Sequence, residues 1–328
     1  MPDLVWFVTR RLFSALLVML ALSLAVYLVF YAIPADPAHL ACGKPCTPDR
    51  LEQARHFMQL DQTTLQQYLS FLKGIFAGRT FGDGAAAVHC NAPCFGYSFP
   101  LARPVTTLIL DRLPVTASIA IGAAILWLLL GVSLGVIAAL NRGRIADRAT
   151  LVGLTVLGAI PSFVGSIVLI AVFAVQLGWF PSFGSGEGFL DTVYHLVLPS
   201  IALAVVFVVL VGKVTRSSMV DQLGREHVEV AVSRGLSRGT VVRRHVFRNA
   251  VGPILTVSGL LVASSIVEAA FGLAGIGSLL VQSVDRLDFP VVQAIVLLIV
   301  AAFVVVNAIV VLLDPWIDPR SAAGAGAR

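Results

Sequence analysis

Six uninterrupted apolar runs constrain this chain more than anything else in it: Leu12 to Ile33, Val115 to Leu140, Ala149 to Leu177, Leu196 to Val214, Val251 to Phe271 and Val291 to Leu313. A helix needs about 20 mostly apolar residues to cross a hydrocarbon core of roughly 30 Å, so each run is long enough to span a bilayer. Strands of a membrane barrel would alternate apolar and polar residues over about ten positions, and these runs do not. The balance of 58% apolar to 12% charged residues, with a mean hydropathy of +0.91, excludes an ordinary soluble domain. The expected fold class is an all-α integral membrane protein with six transmembrane helices. The first run follows Arg10 and Arg11 but is too long for a signal peptide and lacks a small-residue cleavage pattern, so it is expected to stay as a span.

Positive charge sets the expected orientation, because short cytoplasmic loops are enriched in Lys and Arg. With the amino terminus inside, the inner side collects Arg10, Arg11, Arg142, Arg144 and Arg148. It also takes the basic stretch from Lys213 to Arg248, and Arg320 and Arg328 at the end. The short outer loops keep only Arg286. Both termini are therefore expected in the cytoplasm of a multi-pass cell-membrane protein. The net charge of +5 follows from this topology and does not point to nucleic acid.

The expected organisation is a cytoplasmic amino terminus and first span over 1–33, an extracytoplasmic domain over 34–114, a core of five spans over 115–313 and a cytoplasmic tail over 314–328. Within the core, 215–250 forms a cytoplasmic loop. In the outer segment Thr47 is placed to cap a helix with Pro48 at its first position. Leu65 to Phe76 repeats apolar residues at helical spacing and runs out near Gly78, which predicts a second, amphipathic helix.

All four cysteines lie in that outer segment, as Cys42-x-x-x-Cys46 and Cys90-x-x-x-Cys94. An even number confined to one loop outside the cytoplasm points to disulfides, and four cysteines pair in three ways that spacing does not distinguish. A four-thiolate metal site is the competing reading, with spacing looser than such sites usually show. Free thiols are the third.

Catalytic signatures are mostly missing. There is no His-Glu-x-x-His and no Gly-x-x-x-x-Gly-Lys-Ser/Thr phosphate loop, so nucleotide hydrolysis by that route is not available to the chain alone. Gly131-Val-Ser133-Leu-Gly135 matches the Gly-x-Ser-x-Gly nucleophile pattern, but it sits inside the second apolar run, where small residues at this spacing let membrane helices approach closely. The glycines at 184, 186 and 188 and at 272, 275 and 277 read as turns of outer loops. Acids within the runs are few, which argues against a proton-driven pathway. Glu268 is the exception, and either lines a cavity or sits hydrated or locally paired at a helix end.

The stretch that apolar burial does not explain is Glu229-Val-Ala-Val-Ser-Arg-Gly-Leu236, within a basic segment reaching Asn249. Met219 to Arg234 is rich in helix formers, Gly235 is suited to end a helix, and Ser237-Arg-Gly239 leads into another through Val241 and Val242. The expectation is two short helices around a glycine turn, with small Ala231 and Gly235 at the crossing. Such an element is a rigid knob for another protein's groove; a solvated basic loop is the plainer reading.

At these residues the chain resembles the permease subunits of ABC importers, whose signature is Glu-Ala-Ala, three residues, then Gly. Here it reads Glu229, Val230, Ala231 and then Gly235, with Val230 departing from the pattern. It is most similar to the B-type permease of the dipeptide and oligopeptide branch, through stretches that include Asp36-Pro-Ala38, Gln67-Tyr68-Leu69, Ile160-Pro-Ser162, Thr215-Arg-Ser-Ser-Met219, Gly275-Ile-Gly277 and Asp318-Pro-Arg320. The resemblance implies a half-channel that pairs with a second, similar permease and with two cytoplasmic ATP-binding subunits, and an extracytoplasmic peptide-binding protein that delivers substrate. It implies that Glu229, Ala231, Arg234, Gly235 and Leu236 belong to a coupling helix that docks on an ATPase. No cofactor is expected in this chain; ATP and Mg would be held by the partner ATPases. Phe81 to Phe99 looks like an insertion relative to the common pattern, serving either contact with the binding protein or stability of the loop. The competing readings are a permease for nickel or another small solute, an intramembrane hydrolase using Ser133, and a non-transporting receptor.

Overall fold

The computed structural model describes residues 2–31, 38, 46–58, 62–82, 87–234, 236–242 and 265–317, and it is built mainly of helices. In chain order these are α1 (Pro2–Tyr31), α2 (Pro48–Phe57), α3 (Thr64–Ala77), α4 (Val105–Leu140), α5 (Ile145–Ala159), α6 (Ser162–Leu169) and a π-helix over Ile170–Gln176. They continue as α7 (Phe189–Leu223), α8 (Glu226–Ser233), α9 (Arg238–Val241), α10 (Ser265–Ala270), α11 (Ile276–Asp285) and α12 (Phe289–Ile317). Four short strands lie between α3 and α4: β1 (Arg79–Phe81) pairs antiparallel with β2 (Val88–Cys90), and β3 (Tyr97–Ser98) with β4 (Arg103–Pro104).

Among the described residues three helices are long and apolar enough to cross a membrane: Val105–Leu140, Phe189–Leu223 and Phe289–Val306. The pair Ile145–Ala159 and Ser162–Gln176 makes a fourth if it is one span, but it is bent by 95°. The apolar run from Ala149 to Leu177, expected as one spanning helix, is therefore divided in the middle. Pro161 disfavours helical geometry at the residue before it, and Ile160 accordingly sits at φ −82° and ψ 118°. Residues 12–31 of the first run lie within α1, where Phe13–Val29 forms a shorter apolar helix, and residues 32–33 lie outside the described residues. Of the fifth, residues 251–264 lie outside the described residues and 265–270 are helical.

The chain divides into two compact units, one of Met1–Leu12, Val115–Leu273 and Phe303–Arg328, the other of Phe13–Pro114 and Ala274–Ala302. In the second, Val105, Leu108 and Ile109 of α4 pack with Ile276 and Leu279 of α11 and with Val291, Ala294 and Ile295 of α12. Tyr27 of α1 meets Tyr68 and Phe71 of α3, and its hydroxyl donates to Gln67 Oε1 at 2.9 Å.

Thr47 caps α2 with Pro48 at its first position, and Gly78 ends α3 at φ +76°, both as expected; Thr63 and Gln66 also close a capping box on α3 that was not among the expectations. At Gly78 a Cβ would come within 2.8 Å of the Cys90 carbonyl oxygen, so the turn into β1 requires glycine. Cys90 and Cys94 form a disulfide, a bridge within one of the two sequence pairs. Cys46 is also disulfide-bonded, and Cys42 lies outside the described residues. Around the Cys90–Cys94 bridge, Phe57 stacks on Phe81 at 6.0 Å and meets Phe99 edge-on at 4.9 Å. The hydroxyl of Ser98 donates to the buried carboxylate of Asp288, tying the β3–β4 hairpin to the start of α12.

In the first unit the core joins α4, α5, α7 and α10. Ile119, Ala123 and Trp127 of α4 lie against Leu198, Leu203, Phe207 and Val208 of α7, with Leu154 and Val267 closing the cluster. Trp127 meets Phe207 edge-to-face at 4.4 Å between centroids, a preferred aromatic geometry. Glu268 is fully buried and accepts a hydrogen bond from Thr116 Oγ1 at 2.8 Å, so it is locally paired and shielded from water.

Candidate functional site

The two short helices expected around the glycine turn are present as α8 and α9, but the first begins later than its composition suggests. Met219 to Leu223 belongs to α7, which ends at Gly224, and α8 starts afresh at Glu226. Gly224 supplies the break because it favours leaving a helix more than any residue around it. The amide of Arg225 reaches back to the Gln222 carbonyl, and that of Val228 to the Arg225 carbonyl, so the chain changes direction within one turn.

Glu229 and Ala231 lie in α8; Arg234 follows its last residue, exposed, with its amide bonded to the Val230 carbonyl. Gly235 and residues 243–250 lie outside the described residues. Leu236 is 42% exposed, and Val230 50%. Ser237 opens α9: its hydroxyl accepts from the Thr240 amide and pairs with the Thr240 hydroxyl at 2.9 Å.

A small apolar cluster seats this element. Val228 of α8 and Val241 of α9 are buried with Ala139 of α4 and Met219 of α7, and Val136, Val220, Leu223 and Val242 pack around them. This segment is thus anchored on the ends of two long helices while Val230, Arg234 and Leu236 remain accessible. Exposed apolar and cationic groups on a rigid support suit a protein partner.

Next to this cluster stands an ion pair that inspection of the sequence did not single out. Asp147, at the start of α5, is 3% exposed. Its Oδ1 accepts from Arg216 Nε at 2.6 Å and its Oδ2 from Arg216 Nη2 at 2.8 Å, while the Gly143 amide donates to Oδ2 at 2.9 Å. The signal available was Asp147 as a lone acid among Arg142, Arg144 and Arg148, but its partner is 69 positions away. No local pattern reveals that distance.

The serine-nucleophile pattern resolves into packing. A Cβ at Gly131 would fall 3.1 Å from Val211, and one at Gly135 would fall 2.6 Å from Thr215 Cβ and 2.7 Å from the Gly212 oxygen. These glycines let α4 and α7 approach closely. Ser133 is exposed between two buried glycines in an unbroken helix, without the strand-to-helix turn that presents a nucleophile.

Comparison with known proteins extends over nearly the whole chain. Residues 4–120 match the family described as binding-protein-dependent transport system membrane component, N-terminal, and residues 131–322 the family described as binding-protein-dependent transport system inner membrane component. A protein of Brucella abortus (strain 2308) named as a peptide transport system permease is 36% identical over 323 residues, covering 95% of this chain and 98% of the relative. The glutathione transport system permease protein GsiC of Escherichia coli (strain K12) is 32% identical over 319 residues, covering 95% and 97%. Two solved structures share the fold at a TM-score of 0.50. One is of an amino acid ABC transporter with histidines, at 19% identity over 64% of this chain and 94% of that one. The other is of the MetNI methionine ABC transporter in inward-facing conformations, at 16% identity over 63% and 97%.

Proposed function

Because this chain belongs to the family of binding-protein-dependent transport system inner membrane components, we propose that it is the membrane-spanning permease subunit of an ATP-driven importer of di- or oligopeptides. The observation that carries this reading is the end-to-end similarity to permeases named for peptide and glutathione transport, which takes in both the outer segment and the docking segment. The chain is a transport subunit and not an enzyme.

It forms half of a translocation pathway, completed by a second homologous permease. Six spans with both termini in the cytoplasm are supported by the apolar runs and by the bias of Lys and Arg. The segment from 34 to 114 then lies outside, where an extracytoplasmic binding protein delivers substrate. Two ATP-binding subunits hold ATP and Mg on the inner side. The element built from α8 and α9 docks on one of them, with Glu229, Ala231, Arg234, Gly235 and Leu236 at or beside the contact. Closure of the ATPases then moves the spans through this element and switches the pathway from outward- to inward-facing.

The test is uptake by the whole complex in proteoliposomes, comparing labelled dipeptide with nickel. ATP-dependent dipeptide accumulation is expected. Nickel uptake without dipeptide uptake would replace the substrate assignment.

A further inference from the structure

We propose, resting on the permease reading above, that the Asp147–Arg216 pair is a positioning element of the transport cycle, making the start of α5 follow the end of α7 and α8 as one body. Three observations converge on it. Asp147 is almost wholly buried and uses both oxygens on one guanidinium, a fork geometry that resists rotation more than a single contact. The same carboxylate holds the Gly143 amide, in a turn where Gly143 sits at φ +76°. Arg216 lies one helical turn before Met219, whose fully buried side chain belongs to the cluster that seats α8 and α9.

A displacement of α8 therefore reaches the ends of α4 and α7 through the cluster of Ala139 and Met219, and the start of α5 through Arg216. Without the pair, α8 still rests on its apolar seat and α4 stays with it through Ala139, but the start of α5 is no longer tied to the end of α7. Docking survives and the push is lost. The positions best placed to report this are Val152 in α5 and Glu226 at the start of α8, both exposed.

The experiment uses the assembled complex of both permeases, both ATPases and the binding protein. Spin labels are placed on Val152→Cys and Glu226→Cys, with distances measured nucleotide-free and after ATP–vanadate trapping. The same complex is assayed for dipeptide uptake per ATP hydrolysed. In the parent, the label distance should be the same in both states. In Asp147→Asn and in Arg216→Lys, which keeps the charge but loses the fork, the distance should change on trapping. Uptake per ATP should then fall about tenfold while the ATPases still copurify. Unchanged distances, or an unchanged ratio, would overturn the proposal. Failure of both variants to assemble would assign the pair to folding alone and overturn it equally. A parent complex that hydrolyses ATP yet takes up no peptide refutes the peptide reading, and the label distances still judge the pair.

Discussion

Gly135 shows how much a single position decides in this chain. A methyl group there would meet Thr215 Cβ at 2.6 Å and the Gly212 carbonyl at 2.7 Å, both held by helix backbone, so neither neighbour can yield cheaply. Gly135→Val should cost about 1–3 kcal/mol by overpacking, read as a lowered thermal midpoint in detergent, whereas Ser133→Ala should stay within about 0.5 kcal/mol. A destabilised Ser133 variant beside a normal Gly135 variant would reverse the packing assignment. Asp288 is the second such position. Burial pushes its carboxyl above the ordinary range, against the opposing hydrogen bond from Ser98. The folded state thus holds the proton more tightly than the unfolded chain. The resulting stability is complete below the unfolded value of about 3.9 and is lost as pH rises through the folded value. Asp288→Asn should flatten that dependence, measured as unfolding of the full chain across acid to neutral pH; an unchanged slope would remove Asp288 as its source. The Gly-x-Ser-x-Gly pattern was legible in sequence as packing, because it falls inside an apolar run. Asp288 was not, since its burial depends on Ser98, 190 positions away.

Elements were predictable wherever their ends carry local chemistry. Thr47 with Pro48 and Thr63 with Gln66 mark the starts of α2 and α3, and Gly78 marks the end of α3, because caps satisfy backbone groups within four residues. Breaks inside continuous apolar or helix-forming stretches were harder: Pro161 and Gly224 each divide what composition alone reads as one helix. The loop that follows β2 is closed by a covalent tie between Cys90 and Cys94. Replacing Cys90 and Cys94 by Ser should destabilise it by about 2 kcal/mol through lost loop closure, seen as faster amide exchange over 79–98 with exchange in α7 unchanged. Equal exchange in both regions would mean that the bridge is dispensable. The docking role proposed for α8 and α9 makes a different prediction. Gly235→Trp should leave the complex in the membrane with ATP hydrolysis intact while peptide uptake falls about tenfold; uptake at the parent level would sink the docking assignment.

At the scale of the whole molecule, class and family were open to reading before any coordinates, because length, hydropathy and charge placement are properties of the chain itself. Apolar runs of bilayer length leave a helical membrane protein as the only solution that satisfies every backbone amide, and the match across 131–322 agrees with the motif at Glu229, Ala231 and Gly235. The sequence by itself therefore determined that this is a membrane transport subunit, where α2 begins and where α3 ends. Tertiary structure alone decided that the third run bends by 95°, that Glu268 is buried against Thr116, and that Asp147 closes on Arg216 beneath the seat of α8. The physical reason is range. Hydropathy, propensity and capping act over a few neighbouring residues, whereas a buried charge, a close helix crossing or a paired carboxylate exists only when packing brings distant positions within hydrogen-bonding reach.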